Sequence, residues 1–404
     1  MSATYRMPWL MIVCATLVMM ITMGTRQVTG LFVAPLDTST GLGIVAISFA
    51  IAIGQFSWGL AQPVFGALAD RHGPGRVIAA GGLMIAAGMA MIPFVSSEWA
   101  LIFTLGILSA AGAGAGSLTI LIGAASRAIP AERRTLAVSL ISSGGSLGQF
   151  VFAPLTQALI SAFGWVSAIL ALAATALTTL PLAWPLRRRE TAAAAAAVKA
   201  SADISLGAQV RAAFGDASYL WLLIGFSTCG FHVAFLVTHM PGEVKLCGLP
   251  ASVAATSIGL IGIANLVGTL SAGWLSTRVR LKSILFWLYL SRATTLLIFI
   301  LAPKTELTFY LISIGLGLTW LANVPATAGL VGKLFGVRYL STLFGIAMLS
   351  HQLGAFFGAW LGGLAVARYG DYNWMFIADA LLALMAAVVS LPVREARVVR
   401  AVVA

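Results

Sequence analysis

The chain has 404 residues, 60% of them hydrophobic and only 9% charged, with a mean hydropathy of +0.99. Twelve acids and 24 bases cannot coat the surface of a soluble protein of this size, which excludes a soluble multidomain architecture and any sizeable extramembrane enzyme domain. Three cysteines without metal-ligand or redox spacing, Cys14, Cys229 and Cys247, exclude a disulfide scaffold and give no reason to expect a metal or cofactor.

A bilayer-crossing helix takes about 20 mostly apolar residues. Breaks at Gly, Pro and charged clusters divide the chain into apolar segments near 9–36, 42–66, 77–96, 99–126, 135–160 and 165–186. A polar interval, 187–215, follows, and six more segments lie near 218–240, 252–275, 283–302, 307–330, 340–366 and 373–392. The first run is too long for the apolar region of a signal peptide, so it counts as a span. The expected architecture is an all-α polytopic membrane protein with twelve transmembrane helices in two pseudo-symmetric six-helix bundles. Residues 1–186 form the first bundle, 187–215 a cytoplasmic linker and 216–404 the second bundle.

Cytoplasmic loops are enriched in Lys and Arg. Nineteen of the 24 bases fall on one side of this layout, including Arg71, Arg76, Arg187, Arg280 and Lys333; only Lys245, Lys304 and Arg368 fall on the other. Both termini are therefore expected in the cytoplasm. The net charge of +12 and the pI near 10.3 are then a topological signal plus contact with anionic lipid, and do not call for nucleic acid. The linker opens with Arg187-Arg188-Arg189-Glu190 and runs into the alanines 192–197. A faint repeat supports the two halves: Gly66-Ala67-Leu68-Ala69-Asp70-Arg71 ends span two, and Gly273-Trp274-Leu275-Ser276-Thr277-Arg278 ends span eight.

The segment from Gly66 through Asp70, Arg71, His72, Gly73, Pro74 and Gly75 to Arg76 resembles the loop-2–3 signature of the major facilitator superfamily. A short turn permitted by glycine would hold Asp70, Arg71 and Arg76 against helix ends as a gating latch. A merely topology-fixing loop explains the arginines but not Asp70 or the glycine spacing. Within that superfamily the chain resembles the monocarboxylate-transporter branch and its bacterial relatives over most of its length. Arg134-Thr135-Leu136-Ala137-Val138-Ser139 with Gly144-Gly145 and Ala153-Pro154-Leu155 is similar to the branch's fifth span. Arg26-Gln27-Val28-Thr29-Gly30-Leu31-Phe32 is similar to the end of its first span, where many members carry lysine at the place of Arg26. Tyr369-Gly370-Asp371-Tyr372 sits where the branch often has a similar tetrad. Asn265 and Thr269 stand where the animal subgroup has an Asp and an Arg tied to proton coupling and carboxylate binding, so neither role carries over to those positions.

Two bases lie inside spans. Arg26 is about 17 residues from the start of span one, roughly 26 Å along a helix, and its burial in lipid would cost about 2.5–3.5 kcal/mol. Thr22, Arg26, Thr29 and Gly30 share one helical face, and in the superfamily span one lines the central cavity. Arg292, mid-span nine, reads either as a second substrate contact or as a packing arginine bonded to carbonyls. Eleven of the twelve acids lie in loops or at span ends; Asp379, about 9 Å into span twelve, is expected to bond the outer loop or a local helix. A cavity with fixed positive charge and no fixed negative charge attracts an anion, held by Arg as a bidentate pair.

His232 and His239, with Thr228, form a stripe on span seven, and His351-Gln352 lies mid-span eleven. A membrane histidine is commonly a packing residue, yet here it is also the side chain suited to titrate near neutral pH, so His351, His232 and His239 are proton-coupling candidates. Further substrate-site candidates are Gln55, Trp58, Gln149, Asn265, Trp320, Asn323 and Gln352. Asn323-Val324-Pro325 interrupts the span-ten ladder, and unwound backbone at mid-membrane borders binding sites. The glycines 112–116 read mainly as close helix packing.

The reading is a monomeric secondary transporter of small mono- or dicarboxylates, embedded in lipid in a bacterial inner membrane. It would work by alternating access, with proton symport or exchange for a counter-anion. The alternative is an exporter of cationic or amphipathic compounds, which would place acids inside the spans. A receptor that does not transport would need a larger cytoplasmic surface than 187–215.

Overall fold

The computed structural model describes residues 9–126, 131–187, 206–276, 278–336 and 339–395, of which 70, 122, 123, 125, 126, 131–136 and 341 by backbone alone. Among them the regular elements are all helical. Eleven stretches are long and apolar enough to cross a bilayer. The first four are span one (Trp9–Thr40), two (Ile44–Ala69), three (Pro74–Phe94) and four (Glu98–Leu121). The next, Ala137–Leu182, has 46 residues, about twice what a bilayer core needs. Gly164, at φ 79° and ψ 164°, interrupts it in a conformation that side chains with a Cβ rarely adopt, and so separates spans five and six. Spans seven to twelve are Ala217–Leu246, Ala251–Leu275, Leu281–Leu301, Glu306–Phe335, Thr342–Tyr369 and Asn373–Ser390. Twelve crossings result, and the protein is a multi-pass membrane protein.

The chain forms two compact units, Met1–Ser201 and Ala202–Ala404. In lipid there is little hydrophobic gain in pressing one apolar helix on another, so close approach at small residues does the packing. Span five presents Gly144 and Gly148 to span one, where an added Cβ would stand 2.4 Å from Thr16 O and 2.3 Å from Met20 O. Spans seven and eleven repeat the arrangement in the second unit. A Cβ on Gly230 would overlap His351 O, and one on Gly354 would overlap Ser227 O. Spans two and four meet at Gly106 against Ala50 O, and spans eight and ten at Gly268 against Leu318 O. Equivalent spans thus pair equivalently in each unit, which is the internal repeat written in packing. Leucines such as Leu60, Leu155, Leu270, Leu297 and Leu381 are left exposed, as lipid-facing surfaces require.

Several sequence expectations change. Span one is not one helix: the α-helix Trp9–Gln27 passes through a 3-10 turn, Thr29–Phe32, before resuming at Val33–Thr40. Span four contains a π-helical stretch, Ile102–Ser109, in which Ser109 Oγ donates to Thr104 O five residues back at 2.8 Å. Span seven continues through Pro241 to Leu246, so that Glu243, expected in a loop, lies buried in the helix. Of the polar interval, 188–205 lies outside the described residues, and Leu206–Phe214 is helical.

Candidate functional site

The first unit carries a partly buried cation where span one breaks. Arg26 is in the last turn of Trp9–Gln27, where a cation complements the carbonyl end of the helix. Thr29 Oγ1 donates to Arg26 O at 3.0 Å and helps hold the break. The guanidinium Nη2 donates to Gln55 Oε1, and its carbon lies 4.4 Å from the Trp58 ring centroid. Gln55 and Trp58 are both buried on span two. Among the described residues no carboxylate pairs with Arg26. A cavity of about 30 Å³ opens beside it, bounded by Thr25, Arg26, Thr29, Gln55, Leu105 and Ser109. The last two belong to the π-helical stretch of span four, a distortion frequent at functional sites. Thr22, one turn before Arg26 on the same helix, donates to Gly116 O at 3.3 Å and does not line this cavity. Gln149 is buried on span five but does not line this cavity.

The second unit is organised around the interruption of span ten. The helix Glu306–Thr319 stops, and Asn323–Phe335 begins after Trp320, Leu321 and Ala322. Such a break orphans backbone groups, and side chains from three other spans take them up. Arg292, 1% exposed, donates through Nη2 to Thr319 O at 2.5 Å and Trp320 O at 3.0 Å. Cys229 Sγ donates to Trp320 O at 3.5 Å. Asn265 Oδ1 accepts from Leu321 N at 3.0 Å and from Thr269 Oγ1 at 3.2 Å. Asn323 Nδ2 donates to Tyr289 OH at 2.9 Å. Arg292, Asn265, Trp320 and Asn323 therefore converge, on the span-ten break, and Arg292 takes the carbonyl-bonded geometry.

Asp379 corrects the sequence expectation most sharply. It does not bond the outer loop: its Oδ2 lies 2.6 Å from His232 Nδ1, with the two side chains 1% and 0% exposed. Counting residues from the start of span twelve gave a depth along that helix alone. Span seven is longer than its apolar run, and the lateral partner is halfway along it. The His232 ring packs edge-on against Trp320, ring centroids 5.4 Å apart. His239 is elsewhere: Nε2 donates to Ala359 O at 2.7 Å and the ring packs on Tyr372. Gln352 Nε2 lies 3.1 Å from His351 Nδ1, and that imidazole packs on Phe226, making a separate pair on span eleven.

At the turn between spans two and three, Gly73 has φ 88° and Pro74 opens the next helix. Gly75 passes so close to span six that a Cβ would stand 2.7 Å from Ala183 O. Arg71 and Arg76 are exposed, and the side chain of Asp70 lies outside the described residues. In the loop after span nine, burial pushes the Lys304 ammonium below its ordinary pKa, offset in part by the nearby Glu243 carboxyl.

Sequence reasoning missed Thr25, Ser109, Tyr289 and Cys229 as members of these clusters, and undervalued Asp379. The last carried a readable signal, since it was the one acid placed well inside a span.

The family model described as Major Facilitator Superfamily matches residues 15–324. The chain is 25% identical over 371 residues to monocarboxylate transporter 13 of Rattus norvegicus, covering 89% of this chain and 82% of that protein. It is 23% identical over 390 residues to the oxalate:formate antiporter of Oxalobacter formigenes, covering 94% and 89%. The fold is similar to the crystal structure of a D-xylose-proton symporter, with TM-score 0.77 at 15% identity, over 96% of this chain and 99% of that one.

Proposed function

We propose the following role from the premise that this chain belongs to the Major Facilitator Superfamily and is a membrane transporter, not an enzyme: it carries small mono- or dicarboxylates across a bacterial inner membrane by alternating access. The observation that carries this reading is Arg26. A guanidinium stays charged at every relevant pH, and this one is held by a neutral amide and an aromatic face with no described protein acid beside it. An incoming carboxylate supplies the missing negative charge and exceeds Gln55 as an acceptor, because hydrogen bonds between ionised partners are about twice as strong as neutral ones. The names of the carboxylate-carrying relatives support the same substrate class. Proton symport or anion exchange drives the cycle, and Asp70, Arg71 and Arg76 serve as the cytoplasmic latch.

Asp379 does not favour a cation exporter. Its Oδ2 is already engaged by His232, and the permanent charge of Arg292 also acts on that imidazole. The test is uptake of a panel of labelled mono- and dicarboxylates into proteoliposomes, with and without a pH gradient, beside Arg26→Ala. Carboxylate uptake by the native chain and its loss in Arg26→Ala are expected. Uptake of organic cations with none of carboxylates would overturn the proposal.

A further inference from the structure

We infer that His232 and Asp379 together form a proton-binding site in the second unit, read out by the span-ten break through Trp320 and Arg292. This rests on the transporter reading above and supplies its coupling ion.

A bare Nδ1 facing a carboxylate oxygen at 2.6 Å would set two lone pairs against each other, so a proton lies between them. With Nδ1 donating to Oδ2, Nε2 is left as an acceptor. Among the described residues it has no hydrogen-bond partner, and neither do Asp379 Oδ1, Trp320 Nε1 and Arg292 Nε. Buried polar groups are nearly always satisfied, so four unpartnered polar atoms around one buried acid–base pair mark a place built for a change of state. His232 Nε2 is the atom that takes the proton.

Charge gives the direction of coupling. Arg292, Asp379 and neutral His232 sum to zero, and one added proton leaves the group at +1. The surrounding spans do little to offset that charge. Span eight has no titratable side chain, and span twelve has only Asp379. Span nine brings Arg292 and Tyr289; span seven itself brings Cys229, which donates to Trp320 O, and further along the helix His239, which donates to Ala359 O, and Glu243. Span eleven brings His351, which lies beside Gln352, and span ten sets Trp320 against the His232 ring. A protonated pair therefore favours arrival of an anion, and by linkage the anion favours the proton. The response is mechanical as well: a charged His232 repels Arg292, which holds the carbonyls of Thr319 and Trp320. Protonation thus loosens the clamp on span ten, an element already divided into two helices.

The test uses the full chain in proteoliposomes with labelled oxalate and labelled lactate, measured over protein-free vesicles. Initial uptake is read with and without an inward gradient of one pH unit, beside exchange of external label for internal unlabelled anion. The native chain should be accelerated several-fold by the gradient, up to the roughly tenfold that one proton per anion allows. His232→Gln and Asp379→Asn should lose that acceleration and keep exchange within about threefold. Acceleration retained in both variants would overturn the assignment, as would loss of exchange together with acceleration in both, which marks the pair as structural. Exchange without acceleration in the native chain would also overturn it while leaving the anion carrier intact. No anion flux in either mode would instead refute the transport reading itself.

Discussion

Replacing Arg26 with Lys separates charge from shape at the anion site. The ammonium keeps the positive charge, so the cavity stays cationic. It loses the planar fork that meets both oxygens of a carboxylate with parallel N–H donors. In the structure one donor faces Gln55 Oε1 and the guanidinium lies over Trp58, so the remaining N–H groups are what an anion can engage. Losing one charge-assisted hydrogen bond costs about 1.5–3 kcal/mol, or about 12-fold to 160-fold in affinity. Lost stacking on Trp58 adds about 0.5–1 kcal/mol. In proteoliposomes KM for the carried carboxylate should therefore rise at least about tenfold in Arg26→Lys, with maximal rate little changed. Gln55→Glu is the converse perturbation, because it gives Arg26 a resident carboxylate that competes with substrate, and uptake should fall to background. Wild-type KM in both variants would refute Arg26 as the anchor.

Three further outcomes concern the scaffold. Gly268→Ala places a Cβ 2.0 Å from Leu318 O and should destabilise the chain by about 1–3 kcal/mol or more, whereas Gly273→Ala, with open space around it, should raise the melting temperature slightly; equal melting curves would refute the close-approach account. Asn265→Leu removes the acceptor for Leu321 N–H and should cost about 1–3 kcal/mol, seen as a drop in Tm, so an unchanged Tm would show the break to be held otherwise. The Glu395 side chain is largely buried, which alone raises its pKa, but hydrogen bonds from Lys333 Nζ at 2.6 Å and Leu281 N at 3.1 Å outweigh that and hold it below the ordinary glutamate range. Its contribution is present above about pH 4.3 and is lost as pH falls through the lower folded value. Lys333 is half exposed, so the effect should stay under about 1 kcal/mol. Glu395→Gln should flatten the acid limb of thermal stability, and an unaltered limb would remove this pair from the account.

The amino-acid order determined the crossings, because an apolar run of bilayer length has few alternatives to a membrane helix, and the glycines and charged clusters between runs terminate it. It also determined the number of bundles, through the polar interval and the repeated span-two and span-eight endings. Arg26 stood out for the same reason: a permanent cation within such a run is costly. Lateral partners were not legible, since hydropathy measures position along a helix and says nothing of rotation about it. Only the tertiary structure brought Asp379 to His232 across two helices 147 residues apart in sequence. Only the tertiary structure turned Arg292 onto the carbonyls of span ten, because those carbonyls are acceptors created by the break itself. The 3-10 turn after Gln27, and the meeting of Arg26 with Gln55 and Trp58 beside it, are likewise tertiary facts. Local sequence sets which residues lie in lipid, while the packed bundle decides which of them meet.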